Sequence, residues 1–193
     1  FAVFDMRAHP PVKPKIIRRR LGRMRTYVDH ERNIRHSPWR MNLVCQLAAG
    51  LPLEEALTQL EFCEKSKAPL VARVLKRAAE QANVQDGLQP SELEVAECFA
   101  TKGTPLKRIK TIARGRFGRV ERKHCHFRVV LREIDFKLRI FLAKSISGKK
   151  KWFELQQCAE KEGLKAREER EELKRLEQQA AELRKKNAKQ KGS

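Results

Sequence analysis

Eleven Lys/Arg and a single acid, Glu121, stand between Thr101 and Arg132, a net charge of +10 in a chain of 193 residues whose total is +20. Cations at this density do one kind of chemistry well: they neutralise phosphates and release the counterions condensed on a polyanion. Groups for bond-making chemistry are not arranged in a comparable way. Glu54 and Glu55 are adjacent, so on a helix they point about 100° apart and do not form a working carboxylate pair. Gly115-Arg-Phe-Gly118 lacks the G-x-x-x-x-G-K-[ST] pattern of a phosphate loop. His124 and His126 share one face of a strand while Cys125 points to the other, and two His still need two more ligands to hold a metal. The five Cys (45, 63, 98, 125 and 158) are odd in number and widely spaced, without C-x-x-C, which argues against a disulfide framework and against a structural zinc site. The residues describe a binding protein rather than an enzyme, with no catalytic set, no metal and no cofactor.

The elements that must position these cations are extended. Phe127, Val129 and Leu131 alternate with His126, Arg128, Val130 and Arg132, which puts the apolar side chains on one face of a strand. Upstream, Leu93 and Val95 alternate with Glu92 and Glu94 and run into Cys98-Phe99. Two extended runs around a Gly-rich basic centre predict a long β-hairpin over about 92–132, with its turn near Arg114-Gly115-Arg116. Its distal half, Lys107 to Lys123, carries eight like charges and few large apolar residues. A two-stranded ribbon is marginal alone in water, and becomes sensible when sheathed in polyanion. An arm of fourteen residues reaches roughly 45 Å at 3.3 Å per residue, more than the diameter of the small body that carries it.

Before the hairpin the chain reads as helical. Residues 1–30, with Pro10, Pro11, Pro14 and the run Ile16-Ile17-Arg18-Arg19-Arg20, lack a clear period and read as an extended basic arm; Arg32 to His36 reads as a short strand. Ser37-Pro38 opens a first helix, with Trp39, Leu43, Val44 and Leu47 at helical spacing as its core face and Gly50 as its end. A second helix starts at Pro52, with Leu53, Ala56, Leu57 and Leu60 on one face. A third runs from about Ser66 to Val84, with Leu70, Val71, Val74, Leu75, Ala78 and Ala82 inward, and Asp86-Gly87 turns the chain. After Glu133, Phe136, Leu138, Ile140 and Leu142 fall at even positions, either as one more strand or as a short amphipathic piece. Lys151 to Lys189 is a charge-dense helix on which Ala166, Leu173, Leu176, Ala180 and Leu183 approximate a short apolar seam.

The fold class is therefore α+β: three helices packed on one face of a small antiparallel sheet, a long protruding β-hairpin and a C-terminal charged helix. The domain reading is a basic N-terminal extension over 1–30, a core with its hairpin over 31–133, and a C-terminal extension over 134–193. Charge is uneven along the chain, at +8 for residues 1–40, −4 for residues 41–100 and +10 for residues 101–132. The sequence pI of about 10.2 points to nucleic acid or an anionic membrane surface. No run of 18 apolar residues exists, so no membrane-spanning segment is expected, and the most basic part is a hairpin rather than the amphipathic helix of a membrane-surface protein.

Several separated motifs resemble the universal large ribosomal subunit protein family number twenty-two. They are Ser37-Pro-x-Arg40, Gly50-Leu-Pro-Leu-Glu-Glu-Ala-Leu57, the Lys/Ala-rich third helix ending near Asn83, Thr104-Pro-Leu-Lys107-Arg108-Ile109, Ala113-Arg-Gly-Arg116, Arg119 and His126-Phe-x-Val-Val130, all in family order over Ser37 to Glu133. The resemblance implies a body of three helices on a three-stranded antiparallel sheet, in a structural constituent of the large subunit that binds its ribosomal RNA and touches neighbouring ribosomal proteins. The implied RNA contacts are Arg40, Lys107, Arg108, Lys110, Arg114, Arg116, Arg119, Arg122, Lys123, His126 and Arg128. The hairpin tip, Ile112, Ala113, Arg114, Gly115, Arg116 and Phe117, would line the peptide exit tunnel beside the nascent polypeptide. Phe117-Gly118 and His124-Cys125 depart from the bacterial pattern and, with the two extensions, look like mitochondrial members, placing the chain on a ribosome of the mitochondrial matrix; a plastid or bacterial ribosome is the alternative. A free Arg/Gly-type RNA chaperone and a nucleic-acid-binding adaptor are the other functional classes that the charge pattern admits.

Overall fold

The alternating strand Cys125–Glu133 sits at the centre of the molecule. The structure, a computed structural model, describes residues 13–190, with side chains described to residue 181. Within it, helix α1 (Pro14–Leu21), strand β1 (Thr26–Ile34), helices α2 (Pro38–Ala48), α3 (Leu53–Glu61) and α4 (Ala68–Asp86), and strands β2 (Leu93–Lys102), β3 (Leu106–Thr111), β4 (Phe117–Arg122) and β5 (Cys125–Glu133) are followed by helices α5 (Phe136–Leu142) and α6 (Ile146–Gln190). β5 lies between β1 and β2, antiparallel to both. Cys125, Phe127, Val129 and Leu131 turn one face of it into the core, opposite Tyr27 and Asp29 of β1 and Val95 and Cys98 of β2. Helices α2, α3 and α4 cover that face.

The expected second and third helices form with the expected apolar faces. Leu53, Ala56 and Leu60 of α3 are buried, as are Val71, Val74, Leu75, Ala78 and Ala82 of α4. Gly87 closes α4 at φ +76°, its N–H donating to the Asn83 carbonyl at 2.9 Å, the left-handed C-terminal cap that glycine adopts without steric cost.

The first helix is rotated from its expected orientation. Met41, Val44, Cys45 and Ala48 are buried, whereas Trp39, Leu43 and Leu47, expected in the core, are exposed. α2 carries apolar residues on several sides, so periodicity permits more than one buried face. The edge strand makes the choice: Asn42 accepts from the Ala100 N–H at 2.7 Å and donates to the Ala100 carbonyl at 3.3 Å. Those two backbone groups of β2 face away from β5, and leaving them unpaired beneath a helix would cost about 1–3 kcal/mol each. Ser37 sits at the N-cap, but its side chain makes no capping bond.

The N-terminal segment also differs from the sequence reading. The expected extended arm is helical over Pro14–Leu21, and the short strand expected at 32–36 is β1, which begins at Thr26. Ile17 and Leu21 are the half-buried pair, four residues apart, that a helix needs. Arg20 holds the helix down by bonding the buried carboxylate of Asp135, through Nε and, at 3.0 Å, through its guanidinium Nη2. Pro10 and Pro11 of the expected arm, and Leu183 of the apolar seam, lie outside the residues so described.

Beyond Glu133 the even-numbered apolar pattern resolves as helix α5, capped by Asp135 accepting from the Leu138 N–H at 3.1 Å. α5 folds over one end of the outer sheet face. There Glu94, 1% exposed, accepts from Arg132 Nε at 2.9 Å and from Arg139 Nε at 3.0 Å. The Arg139 guanidinium in turn lies 5.4 Å from the centre of the Trp152 ring on α6, within cation–π range. α6 continues across the body, where Lys151 meets Glu55 at 2.9 Å and Arg170 donates to the Asn83 carbonyl at 3.0 Å. Leu173 and Leu176 of the expected seam are exposed.

Candidate nucleic-acid interface

The cationic centre forms a ribbon of its own. β3 and β4 pair antiparallel from Leu106↔Arg122 to Thr111↔Phe117, six residues a side, or roughly 20 Å. The expected single long ladder is interrupted where the ribbon leaves the body. Gly103 N–H still donates to the His124 carbonyl at 2.9 Å, but Pro105 has no N–H to offer and pairing resumes only at Leu106. Gly103 suits that place, because a Cβ would come within 3.2 Å of both the His124 backbone and the His126 ring and oblige them to shift by a few tenths of an ångström.

The register sorts the ribbon into two unequal faces, since directly opposed residues share a side. One face holds Arg108, Lys110 and Arg122 with Leu106, Val120 and Gly118; it has three cations and no acid. The other holds Lys107, Arg119 and Glu121 with Ile109, Thr111 and Phe117. Arg119 lies 2.7 Å from the Glu121 carboxylate, so this second face is partly self-neutralised. Ile109 and Phe117 are exposed on it, and with Lys107 and Arg119 they line a shallow hollow of about 540 Å³. At the tip, Ile112 N–H donates to the Arg116 carbonyl at 2.8 Å, closing a turn in which both Arg114 and Gly115 have positive φ, +61° and +69°. The turn falls where the sequence places it; that Arg114 shares the left-handed conformation with Gly115 is new, and for a residue bearing Cβ it is a strained position.

The remaining expected contact residues lie on the body or at the base of the ribbon. Lys123 is exposed at that base, and Arg128 is exposed on the outer sheet face. His126 shares that face but is half-buried, and its Nδ1 accepts from the Asn33 N–H at 3.1 Å, where β1 bulges with Asn33 at φ +57°. Arg40 is exposed in the first turn of α2. Burial, helped by Lys67 and Arg40, holds the His36 pKa below its usual value, a sign of the positive field on this side. The body and ribbon therefore offer a set of cations spread over two elements and one sheet face.

Sequence reasoning missed two aromatic residues. Trp39, assigned to the core, is 77% exposed beside the ribbon base, and Phe62, just past α3, is 82% exposed. The periodicity of α2 hides Trp39 among aliphatic neighbours. For Phe62 the available signal is its place after the last core residue, Leu60. The buried thiols of Cys45, Cys98 and Cys125 form part of the core. A hydrogen bond with Cys45 and then burial push the Cys98 thiol far up, and burial raises Cys125, so neither offers a thiolate. Among the described residues no cluster of three or more His, Cys, Asp or Glu is placed to hold a metal ion, and no helix is long and apolar enough to cross a membrane.

A small α+β body thus carries a projecting ribbon with one cationic, acid-free face. Residues 30–132 match the family model for ribosomal protein L22p/L17e, and the chain belongs to that family. It is 39% identical over 133 residues to the large ribosomal subunit protein uL22m of Drosophila pseudoobscura pseudoobscura, covering 68% of this chain and 55% of that protein. It is 40% identical over 109 residues to uL22m of Drosophila melanogaster, covering 55% and 47%. It is 39% identical over 103 residues to uL22 of Methylocella silvestris, covering 53% and 80%. The chain thus spans about half the length of these two Drosophila relatives, which are of mitochondrial type, and most of the bacterial one. Membership of a ribosomal-protein family agrees with the reading of a binding protein rather than an enzyme.

Proposed function

We propose that the protein is a structural constituent of the large subunit of the mitochondrial ribosome, in the matrix, where it binds ribosomal RNA and stabilises its fold. Residues 31–133 act as the RNA-binding core, and 1–30 and 134–193 are extensions that meet neighbouring ribosomal proteins. The observation that carries the RNA contact is the acid-free ribbon face of Arg108, Lys110 and Arg122: three cations held side by side outside the body repel one another until phosphates neutralise them. The tip, from Ile112 to Phe117, sits at the wall of the peptide exit tunnel and meets the nascent polypeptide. Family membership, the turn at Arg114-Gly115 and the projection of the ribbon support that placement.

Three measurements test this reading. In a high-salt sedimentation run the chain stays with large subunits, whereas a free RNA chaperone washes off; loss of the chain from the subunit peak defeats the ribosomal assignment. With isolated RNA, replacing Arg108, Lys110 and Arg122 together by Ala flattens the log–log salt dependence of binding by about two to three units. An unchanged slope puts the phosphate contacts elsewhere. A photoreactive residue at position 113 cross-links to nascent chains if the tip lines the tunnel and to none if it does not.

A further inference from the structure

The exposed Trp39 stands at a groove the ribbon reading does not use. The start of α2 and the base of the ribbon face each other across about 740 Å³ of open space, lined by Trp39 and Asn42 on one side and by Lys102, Gly103, Lys123 and His124 on the other. That volume is within the range of about 300–1,000 Å³ typical of clefts that seat small organic groups. Resting on the proposal that this protein binds RNA, we infer that the groove receives a single unstacked nucleotide, its base against the Trp39 ring and its phosphates beside Lys102 and Lys123.

Three observations lead to this occupant. A tryptophan 77% exposed presents an aromatic face to solvent, and every nucleobase has a complementary face, so stacking on it needs no particular sequence. Lys102 and Lys123 line the same groove from the two strands' ends at the ribbon base. The one carboxylate that also lines the groove, Glu121, is engaged by Arg119 at 2.7 Å. The cationic rim fits a nucleotide and disfavours the neutral or basic peptide that an apolar aromatic alone would also accept. Finally, the walls are fixed in advance. Asn42 pins α2 to the Ala100 backbone with two hydrogen bonds. Gly103 follows β2 and donates its N–H to the His124 carbonyl at 2.9 Å, in a space where a Cβ would press within 3.2 Å of the His124 backbone. The groove therefore exists before anything enters it, and a base that is already unpaired fits it without opening a helix. Paired RNA does not present such a base, so the groove adds a preference for single-stranded or bulged RNA to the indiscriminate attraction of the ribbon.

The test uses the full chain, an RNA decamer of adenines and a blunt RNA duplex of equal length. Trp152→Phe leaves Trp39 as the sole tryptophan, since the chain has two. The decamer is expected to quench Trp39 fluorescence, and the duplex to leave it nearly unchanged. Trp39→Ala is expected to weaken decamer binding about tenfold while leaving duplex binding and the salt slope as they were, and Trp39→Phe to restore most of the loss. Circular dichroism of the variants confirms that the body is folded, which the exposure of Trp39 predicts. If the decamer binds Trp39→Ala and wild type alike and leaves Trp39 unquenched, the groove belongs to a protein neighbour and the inference falls while the ribbon reading stands. Equal losses for decamer and duplex also overturn it, by making Trp39 a general contact. If wild type binds neither RNA, the proposed function itself fails, and this inference with it.

Discussion

Tyr27 shows how one side chain ties a strand to a helix end and sets a pH limit. Its ring is buried against β5, and its hydroxyl donates to Asp86 at the end of α4, with Arg25 3.4 Å from the same carboxylate. Burial first, then the hydrogen bond and charge of Asp86, push the Tyr27 pKa up to about 12 from its ordinary 10. The native state thus holds the phenolic proton more tightly than the unfolded chain does. The stability gained is fully present below pH 10 and is lost as pH rises from about 10 to 12. Thermal melts of wild type across that window should show a falling midpoint, and Tyr27→Phe, which has no proton to lose, should show a shallower fall. Parallel curves for the two would mean that this hydroxyl does not set the alkaline limit. The same residue illustrates what sequence conceals: Tyr27 lies in a stretch read as an arm without period, because its partner Asp86 is 59 positions away and no local pattern announces a long-range bond.

At the scale of elements, what was legible followed from periods and punctuation. The alternation of Phe127, Val129 and Leu131 gives β5 its buried face, Gly115 marks the ribbon turn, and Ser37-Pro38 and Pro52 mark helix starts. What was not legible was decided by partners outside the element. α2 turns Trp39 outward because Asn42 must serve the Ala100 backbone, and α1 forms where Arg20 finds Asp135. The cationic residues of the candidate site were readable by composition, but their division into an acid-free face and a neutralised one required the register of β3 on β4. Glu94 is a further case: its alternation suggests an exposed strand position, yet α5 buries it between Arg132 and Arg139. Removing one partner of a fully buried ion pair costs about 3–5 kcal/mol. Arg139 keeps 30% of its side chain exposed and Arg132 still holds Glu94, so Arg139→Ala should cost less, about 2 kcal/mol in urea unfolding of the full chain. Adding Glu94→Gln to that variant should deepen the loss, because it takes from Arg132 the counter-charge it retains. If Arg139→Ala is neutral, α5 is an ornament on the sheet rather than its seal.

Across the whole molecule, order and charge are segregated. The body has most of its buried apolar residues in one cluster over the sheet, whereas residues 103–123 of the ribbon are exposed throughout except at Gly103, Pro105 and Gly118. Amide exchange in the isolated protein should therefore be slowest in β5 and α4 and fast at residues 112–116, where one short ladder and like charges give little local stability. Protection at the tip equal to that of β5 would mean that the ribbon is rigid without RNA. Helix α6 extends this division in the other direction. Arg170, whose guanidinium sits over Gly87 and bonds the Asn83 carbonyl at 3.0 Å, anchors it to the end of α4. The helix then runs on to Gln190, roughly 30 Å at 1.5 Å per residue. A rod held at one end is a lever: a tilt of a tenth of a radian at Arg170 moves the far end by about 3 Å. The distal part of α6 therefore turns a small displacement at the end of α4 into a several-fold larger one at residue 190.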